Sequence, residues 1–226
     1  MAAPAPEKRA RRRRVPAWLE TILLLGLALV LSVLLKAFVV QMFFVPSQSM
    51  EPLFRTDDRI LVQKISYWSG DVERGDVVVF EDPGGWLGGE PVLNPLQRAM
   101  AVVGLYPPGG HLVKRVIAVG GDQVVCCDDD GRVTVNGVAL DEDDYLKQPG
   151  RPSDRDFDVT VPEDRLWVMG DNRGNSEDSR FHQQQDLGTI PVDAVVGKVW
   201  AIVWPGDRFS LVKRPATFDD PALDGS

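Results

Sequence analysis

Two serines, Ser47 and Ser49, stand in the run FFVPSQSMEPLF (43–54), between Pro46 and Pro52. The prolines keep this backbone out of a regular helix or a central strand. The hydroxyls therefore sit on an irregular turn, as ordinary turn serines or as a presented nucleophile. A serine that attacks a carbonyl needs a base. The two histidines, His111 and His182, lie in loop-like sequence without a triad context. The other available base is a lysine made neutral by burial, since burial costs the charged form its hydration and can lower its ordinary pKa of about 10.4 by several units. Lys114 is suited to that role. It sits in the apolar run HLVKRVIAV, and strand alternation places it with Leu112 and Val116, opposite Arg115. A lysine so placed either snorkels to water or acts as a base. A third segment, MGDNRGNSEDSRF (169–181), is dense in Gly, Asp, Asn and Ser. Such a loop either hydrogen-bonds itself into a fixed shape or is a polar surface loop.

The elements that must position these groups read as short strands. RILVQKI (59–65), DVVVF (76–80), VKRVIAV (113–119), LWVM (166–169) and VVGKVWAIVW (195–204) are apolar runs bounded by Gly, Pro and charged residues. Within 132–140, Asn136-Gly137 between apolar residues is a two-residue hairpin signal. Many short strands with Gly/Pro punctuation indicate a mostly β body. Residues 84–110, Gly-rich at both ends with an apolar middle, read as an insertion packed on the body, a short helix, or a loop that touches lipid. The segment 214–226 is polar and acidic and is expected to be disordered.

Charge is divided along the chain of 226 residues. Residues 1–45 carry seven basic and two acidic side chains, so of the net charge of −8 the remainder holds −13. An acidic body argues against nucleic acid as a partner. The basic cluster RARRRR directly precedes the longest apolar run, 18–40, which suits a lipid bilayer better than a DNA-binding arm. A membrane-spanning helix needs about 20 mainly apolar residues. The expectation is a cytoplasmic basic tail (1–16), a single transmembrane helix (17–40) with Trp18 at one interface and Lys36 snorkelling at the other, and an extracytoplasmic body (41–213). A cleaved signal peptide is the rival reading, but the run leads into the bulky QMFFVPSQSM without a small-x-small site. The only cysteines, Cys126 and Cys127, are adjacent, cannot staple distant segments, and are assigned no catalytic role; a vicinal disulfide between them is open. No metal-ligand spacing occurs, and neither metal nor organic cofactor is expected.

Taken in order, the apolar N-terminal run, PSQSMEP, DDRILVQK, RGDVVVF, VKRVIAVGGD and GDNRGNSEDSR resemble the boxes of type I bacterial signal peptidases, of the actinobacterial kind. The resemblance implies a membrane helix followed by a mainly antiparallel β-sheet peptidase domain with a small β-rich subdomain inserted at about 120–165. It implies Ser49 as nucleophile, Lys114 as general base and Ser47 as an oxyanion-hole donor beside the Ser49 main-chain N–H. Ser176 would orient the lysine, the ion pair Asp178–Arg180 would support the site, and Gly170, Asp171 and Asn172 would be structural. Phe43, Val45, Ile60, Leu112 and Val113 would line shallow pockets for small side chains of a preprotein substrate bound as an extended strand. Two departures stand out. Gln48 occupies a position that is often Gly, and His182-Gln-Gln-Gln-Asp follows where Trp-Gly or similar is common. The rival from another class is a non-catalytic, membrane-anchored β-domain that binds exported proteins. It requires that Ser49 and Lys114 be dispensable.

Overall fold

The computed structural model describes residues 16–38, 40–64, 71–87 and 110–224, with side chains of 17 and 33–38 excepted. Most of the 84–110 insertion and nearly all of the basic tail lie outside the described residues. A helix, α1 (Ala17–Phe38), leads into the body. Pro16 opens it, its carbonyl accepting from the N–H groups of Leu19 and Glu20. Leu23, Leu25, Leu27 and Leu29 on it are all exposed. Among the described residues no helix is long and apolar enough to cross a membrane, which leaves the sequence expectation of a span at 17–40 without structural support.

The body is mostly β. Its strands are β1 (Val40–Phe44), β2 (Arg59–Gln63), β3 (Val77–Glu81), β4 (His111–Val119), β5 (Gln123–Cys126), β6 (Val133–Val135), β7 (Val138–Ala139), β8 (Phe157–Thr160), β9 (Arg165–Met169), β10 (Ile190–Pro191), β11 (Val195–Trp204) and β12 (Ser210–Leu211). Eight of them form one antiparallel sheet in the order β1-β2-β11-β3-β4-β9-β10, with β12 on β11. The other four form a small antiparallel sheet, β7-β6-β5-β8. The expected anchor segment thus ends in strand: Val40 is the first residue of β1 and pairs with Gln63 of β2.

Strand β11 bridges the two halves of the large sheet by pairing β2 on one side and β3 on the other, with register shifts in both ladders. Gly197 permits the close approach, since a Cβ there would lie 2.5 Å from the Gln63 carbonyl oxygen. The small sheet begins where Gly121 turns the chain at a positive φ of 88°. Asn136 and Gly137 take positive φ values of 53° and 80° between β6 and β7, as a tight hairpin between twisted strands requires.

Three apolar clusters hold these layers. Val124, Val133, Val135, Leu140, Phe157 and Val159 of the small sheet and the segments joined to it pack on Ile117 and Ala118 of β4 and Trp167 and Met169 of β9. Phe43, Val45, Met50, Phe54, Ile60, Val62 and Val199 form a second cluster beneath the serine turn. Val78, Phe80, Leu112, Val116 and Val168 belong to the third. Cys126 and Cys127 form a disulfide with each other.

The acidic segment after Arg214 departs from the expected disorder. Two short 3-10 turns, Ala216–Asp219 and Pro221–Asp224, carry Phe218 and Leu223 into the first cluster, both buried. Polar groups fasten it: Arg214 pairs with Glu73 and Asp219, Arg74 with Asp224, and the Asn136 side-chain amide donates to the Leu223 carbonyl at 2.7 Å. Two apolar anchors in a polar composition were enough to order the segment.

Candidate active site

The serine turn is held from below and from behind. Met50 and Phe54 are fully buried in the second apolar cluster. Asp58 receives the Arg55 N–H at 2.8 Å and both arms of Arg208, at 2.9 and 2.8 Å, while Arg208 also donates to the Leu53 carbonyl. The Val45 N–H donates to the Asp58 carbonyl, and the Asp57 N–H to that of Val45, so the turn closes on itself. Ser49 at its crest is 7% exposed.

Opposite lies β4. Lys114 pairs in register with Val78 of β3, and its neighbours two residues away, Leu112 and Val116, belong to the third apolar cluster. Its amine donates to Ser49 Oγ at 2.8 Å, and the Ser47 and Ser49 hydroxyl oxygens lie 3.2 Å apart. Lys114 is 3% exposed. Burial holds its pKa down at about 8, with the field of Asp178 opposing that shift and the field of Arg180 adding to it. A primary amine that loses its proton near pH 8, in contact with a serine hydroxyl, can take up the proton of that hydroxyl.

The polar loop between β9 and β10 completes the surroundings, and it is a folded lattice rather than a solvated loop. Asp178 accepts from Arg180 Nε and Nη2 at 2.8 and 2.9 Å and from the Gly170 N–H at 3.0 Å. Burial alone would raise the Asp178 pKa; the bonds from Arg180 and Gly170 outweigh it and hold the carboxyl below its usual range. Gly170 has no room for a side chain: a Cβ would lie 2.3 Å from Ser176 Oγ and 2.4 Å from the Ser49 carbonyl oxygen. Ser176 is buried there, but its hydroxyl has no hydrogen-bond partner among the described residues and so does not bond Lys114 as the resemblance implied.

Of the expected pocket residues, Phe43, Val45 and Ile60 share one cluster with Val113 packed against it, whereas Leu112 belongs to the third cluster. The structure therefore brings four together and sets the fifth apart. Phe43 and Ile60 are direct cross-strand partners.

Several polar contacts were not anticipated. Arg115 makes a two-point ion pair with Asp171 at 2.8 and 2.7 Å and donates to the Gly75 carbonyl. Arg173 holds Glu142 at 3.0 and 2.6 Å and the carbonyls of Gly170 and Pro152. The Asn172 amide donates to the Gln48 carbonyl at 2.9 Å, and the Asn172 main-chain N–H to the Ser49 carbonyl at 3.0 Å. A charged residue on the opposite face to Lys114 in a largely apolar strand was the available signal for Arg115. Glu142, inside the acidic run DEDD, carried none. Among the described residues no group of His, Cys, Asp and Glu could hold a metal ion.

A buried serine–lysine contact supported by a β scaffold defines a class of hydrolase site, and the comparisons agree in kind. Residues 18–204 match the family described as signal peptidase, peptidase S26. The chain is 38% identical over 236 residues to a probable signal peptidase I of Mycobacterium leprae, covering 89% of this chain and 81% of that protein. It is 39% identical to signal peptidase I of Mycobacterium tuberculosis, covering 93% and 78%. It is 32% identical to signal peptidase I P of Bacillus subtilis subsp. natto, covering 92% and 98%. A solved signal peptidase I of Enterococcus faecalis aligns over 57% of this chain at 26% identity, with a TM-score of 0.37. The chain belongs to the signal peptidase family, peptidase S26, and is a serine endopeptidase of that family.

Proposed function

We propose that the chain removes signal peptides from exported preproteins, cutting after small side chains, with Ser49 as nucleophile and Lys114 as general base. The observation that carries this reading is the buried 2.8 Å contact between the Lys114 amine and Ser49 Oγ. Neutral Lys114 accepts the Ser49 proton as Oγ bonds to the scissile carbonyl carbon. The carbonyl π electrons move to oxygen, and the Ser47 hydroxyl and Ser49 N–H face that charge. The C–N bond then breaks, and Lys114 returns its proton to the leaving amine. Water, deprotonated by Lys114 in turn, releases the acyl group from Ser49. Asp178 and Arg180 act by fixing the loop behind the amine, and Ser176 by filling the space beside Gly170. Phe43, Val45, Ile60 and Val113 bound the space for the substrate's small side chains.

The same reading places the enzyme at the plasma membrane, with the N-terminus cytoplasmic and the body outside. Its support is the apolar run 18–40 behind the arginine cluster. Incubation of the full chain in detergent with a model preprotein tests the function. Wild type should release a product with a new N-terminus directly after a small residue, and Ser49→Ala should release none. Equal cleavage by Ser49→Ala would discard the site. Binding of preprotein without cleavage by wild type would favour the non-catalytic β-domain that binds exported proteins.

A further inference from the structure

Asn172 touches the nucleophile's loop twice. Its side-chain amide donates to the Gln48 carbonyl at 2.9 Å, and its main-chain N–H donates to the Ser49 carbonyl at 3.0 Å. Asn172 itself is 2% exposed, set between Asp171, which is locked to Arg115, and Arg173, which is locked to Glu142. Its amide is therefore delivered from a rigid frame.

The peptide unit between Gln48 and Ser49 is planar and is not one of the cis bonds of the chain. In a trans peptide the C=O and the N–H point in opposite directions. A donor that holds the Gln48 oxygen on one side therefore turns the Ser49 N–H to the other side, away from Asn172. Among the described residues that N–H donates to no protein atom. The second bond, to the Ser49 oxygen, keeps the next peptide from rotating in compensation. The turn around Ser49 consequently shows two successive carbonyls to Asn172 and leaves one N–H on the opposite face.

We infer that Asn172 is a positioning residue that sets the orientation of the Ser49 N–H as an oxyanion donor. The inference rests on the reading of Ser49 as nucleophile. It gives the side chain a role distinct from those of Ser47, which would donate directly, and Lys114, which moves the proton. The Gln48 carbonyl also accepts from the Glu51 N–H, at 3.2 Å, so loss of the side-chain amide leaves the Lys114–Ser49 contact in place and removes the shorter of the two bonds that hold the peptide plane.

The test compares wild type, Asn172→Ala and the similarly sized Asn172→Leu on one preprotein-derived peptide. Four quantities are read: kcat, KM, the midpoint of the pH profile, and affinity for a peptide aldehyde against its alcohol. The aldehyde forms a tetrahedral adduct with Ser49, and the alcohol does not. The expected result is a fall in kcat approaching the roughly 10²-fold loss seen when an oxyanion donor is removed. Aldehyde affinity should fall in parallel, while KM, alcohol affinity and the pH midpoint stay put. Unchanged kcat in the variants would overturn the inference. So would a kcat loss accompanied by a shifted pH midpoint or raised KM, because that marks general loosening of the site. If Asn172→Ala does not fold, Asn172→Leu gives the same readout. Wild type and Ser49→Ala run beside them, so an inactive wild type would count against the function, whereas active wild type with unaffected Asn172 variants would count against this inference alone.

Discussion

Arg115 follows Lys114 along β4, and so faces the other way, where it closes a two-point ion pair with Asp171 at 2.8 and 2.7 Å. Both partners are buried, and the guanidinium lies 4.6 Å from the centre of the Tyr145 ring. The strand that carries Lys114 is thus tied through its next residue to the loop that carries Asn172 and Asp178.

Removing one member of that pair leaves a buried charge without its partner. Asp171→Ala should lower unfolding stability by about 3–5 kcal/mol, read by denaturant unfolding at pH 7 in detergent. Glu51→Gln, which breaks the partly exposed pair with Lys147, should cost less than about 1 kcal/mol. Similar losses for the two variants would mean that the Arg115–Asp171 pair is not a strut.

The amine must be neutral to take a proton, so activity should rise with pH. With the Lys114 pKa held at about 8 by burial, kcat should reach half its plateau near pH 8 and fall about tenfold per pH unit below pH 7. A profile flat from pH 5 to 9 would exclude Lys114 as the base.

The same shift has a stability consequence of definite sign. The folded value, about 8, lies below the reference value of 10.5, so the folded chain binds this proton less readily than the unfolded one. The charge therefore penalises the fold in full below pH 8, by on the order of 3 kcal/mol, and the penalty fades between pH 8 and 10.5. Lys114→Met should be inactive yet more stable than wild type at pH 7, with the difference shrinking towards pH 10. It also forgoes a hydrogen bond worth about 1 kcal/mol, which offsets part of the gain. A variant clearly less stable at pH 7 would mean that Lys114 serves the fold rather than the chemistry.

The C-terminal segment should behave as part of the body. Phe218 is buried with Leu223 against the small sheet. Phe218→Ala should cost about 3 kcal/mol or more, measured by thermal or denaturant unfolding. A stop codon in place of Pro215 should cost more still. Neutral behaviour of both would restore the expectation of a disordered tail.

How much was legible in the sequence varied with the range of the forces involved. Strands β2, β3, β4, β9 and β11 of the large sheet announced themselves as apolar runs, and Asn136-Gly137 marked its hairpin, because both depend on local pattern. Strands β1, β5 and β8 did not: Val40–Phe44 reads as the end of an apolar run, and QVVC and FDVT are short and polar-flanked. Ser49 and Lys114, which the structure brings into contact, were singled out through their neighbours in sequence, although 65 positions separate them. The partners of the Arg173–Glu142 pair and the Asn172–Gln48 bond lie 31 and 124 positions apart, and no local pattern joins one to the other. Phe218 and Leu223 were hidden by the acidic composition around them.

The most direct test of the central claim is to trap the acyl group. The full chain would be mixed in detergent with a peptide ester carrying a small residue before the ester, quenched in acid, and mapped by mass spectrometry. The expected result is one acyl group per chain, on Ser49, absent from Ser49→Ala and strongly reduced in Lys114→Ala. An acyl group on any other residue, or turnover by Ser49→Ala at the wild-type rate, would contradict the assignment of Ser49 as the nucleophile.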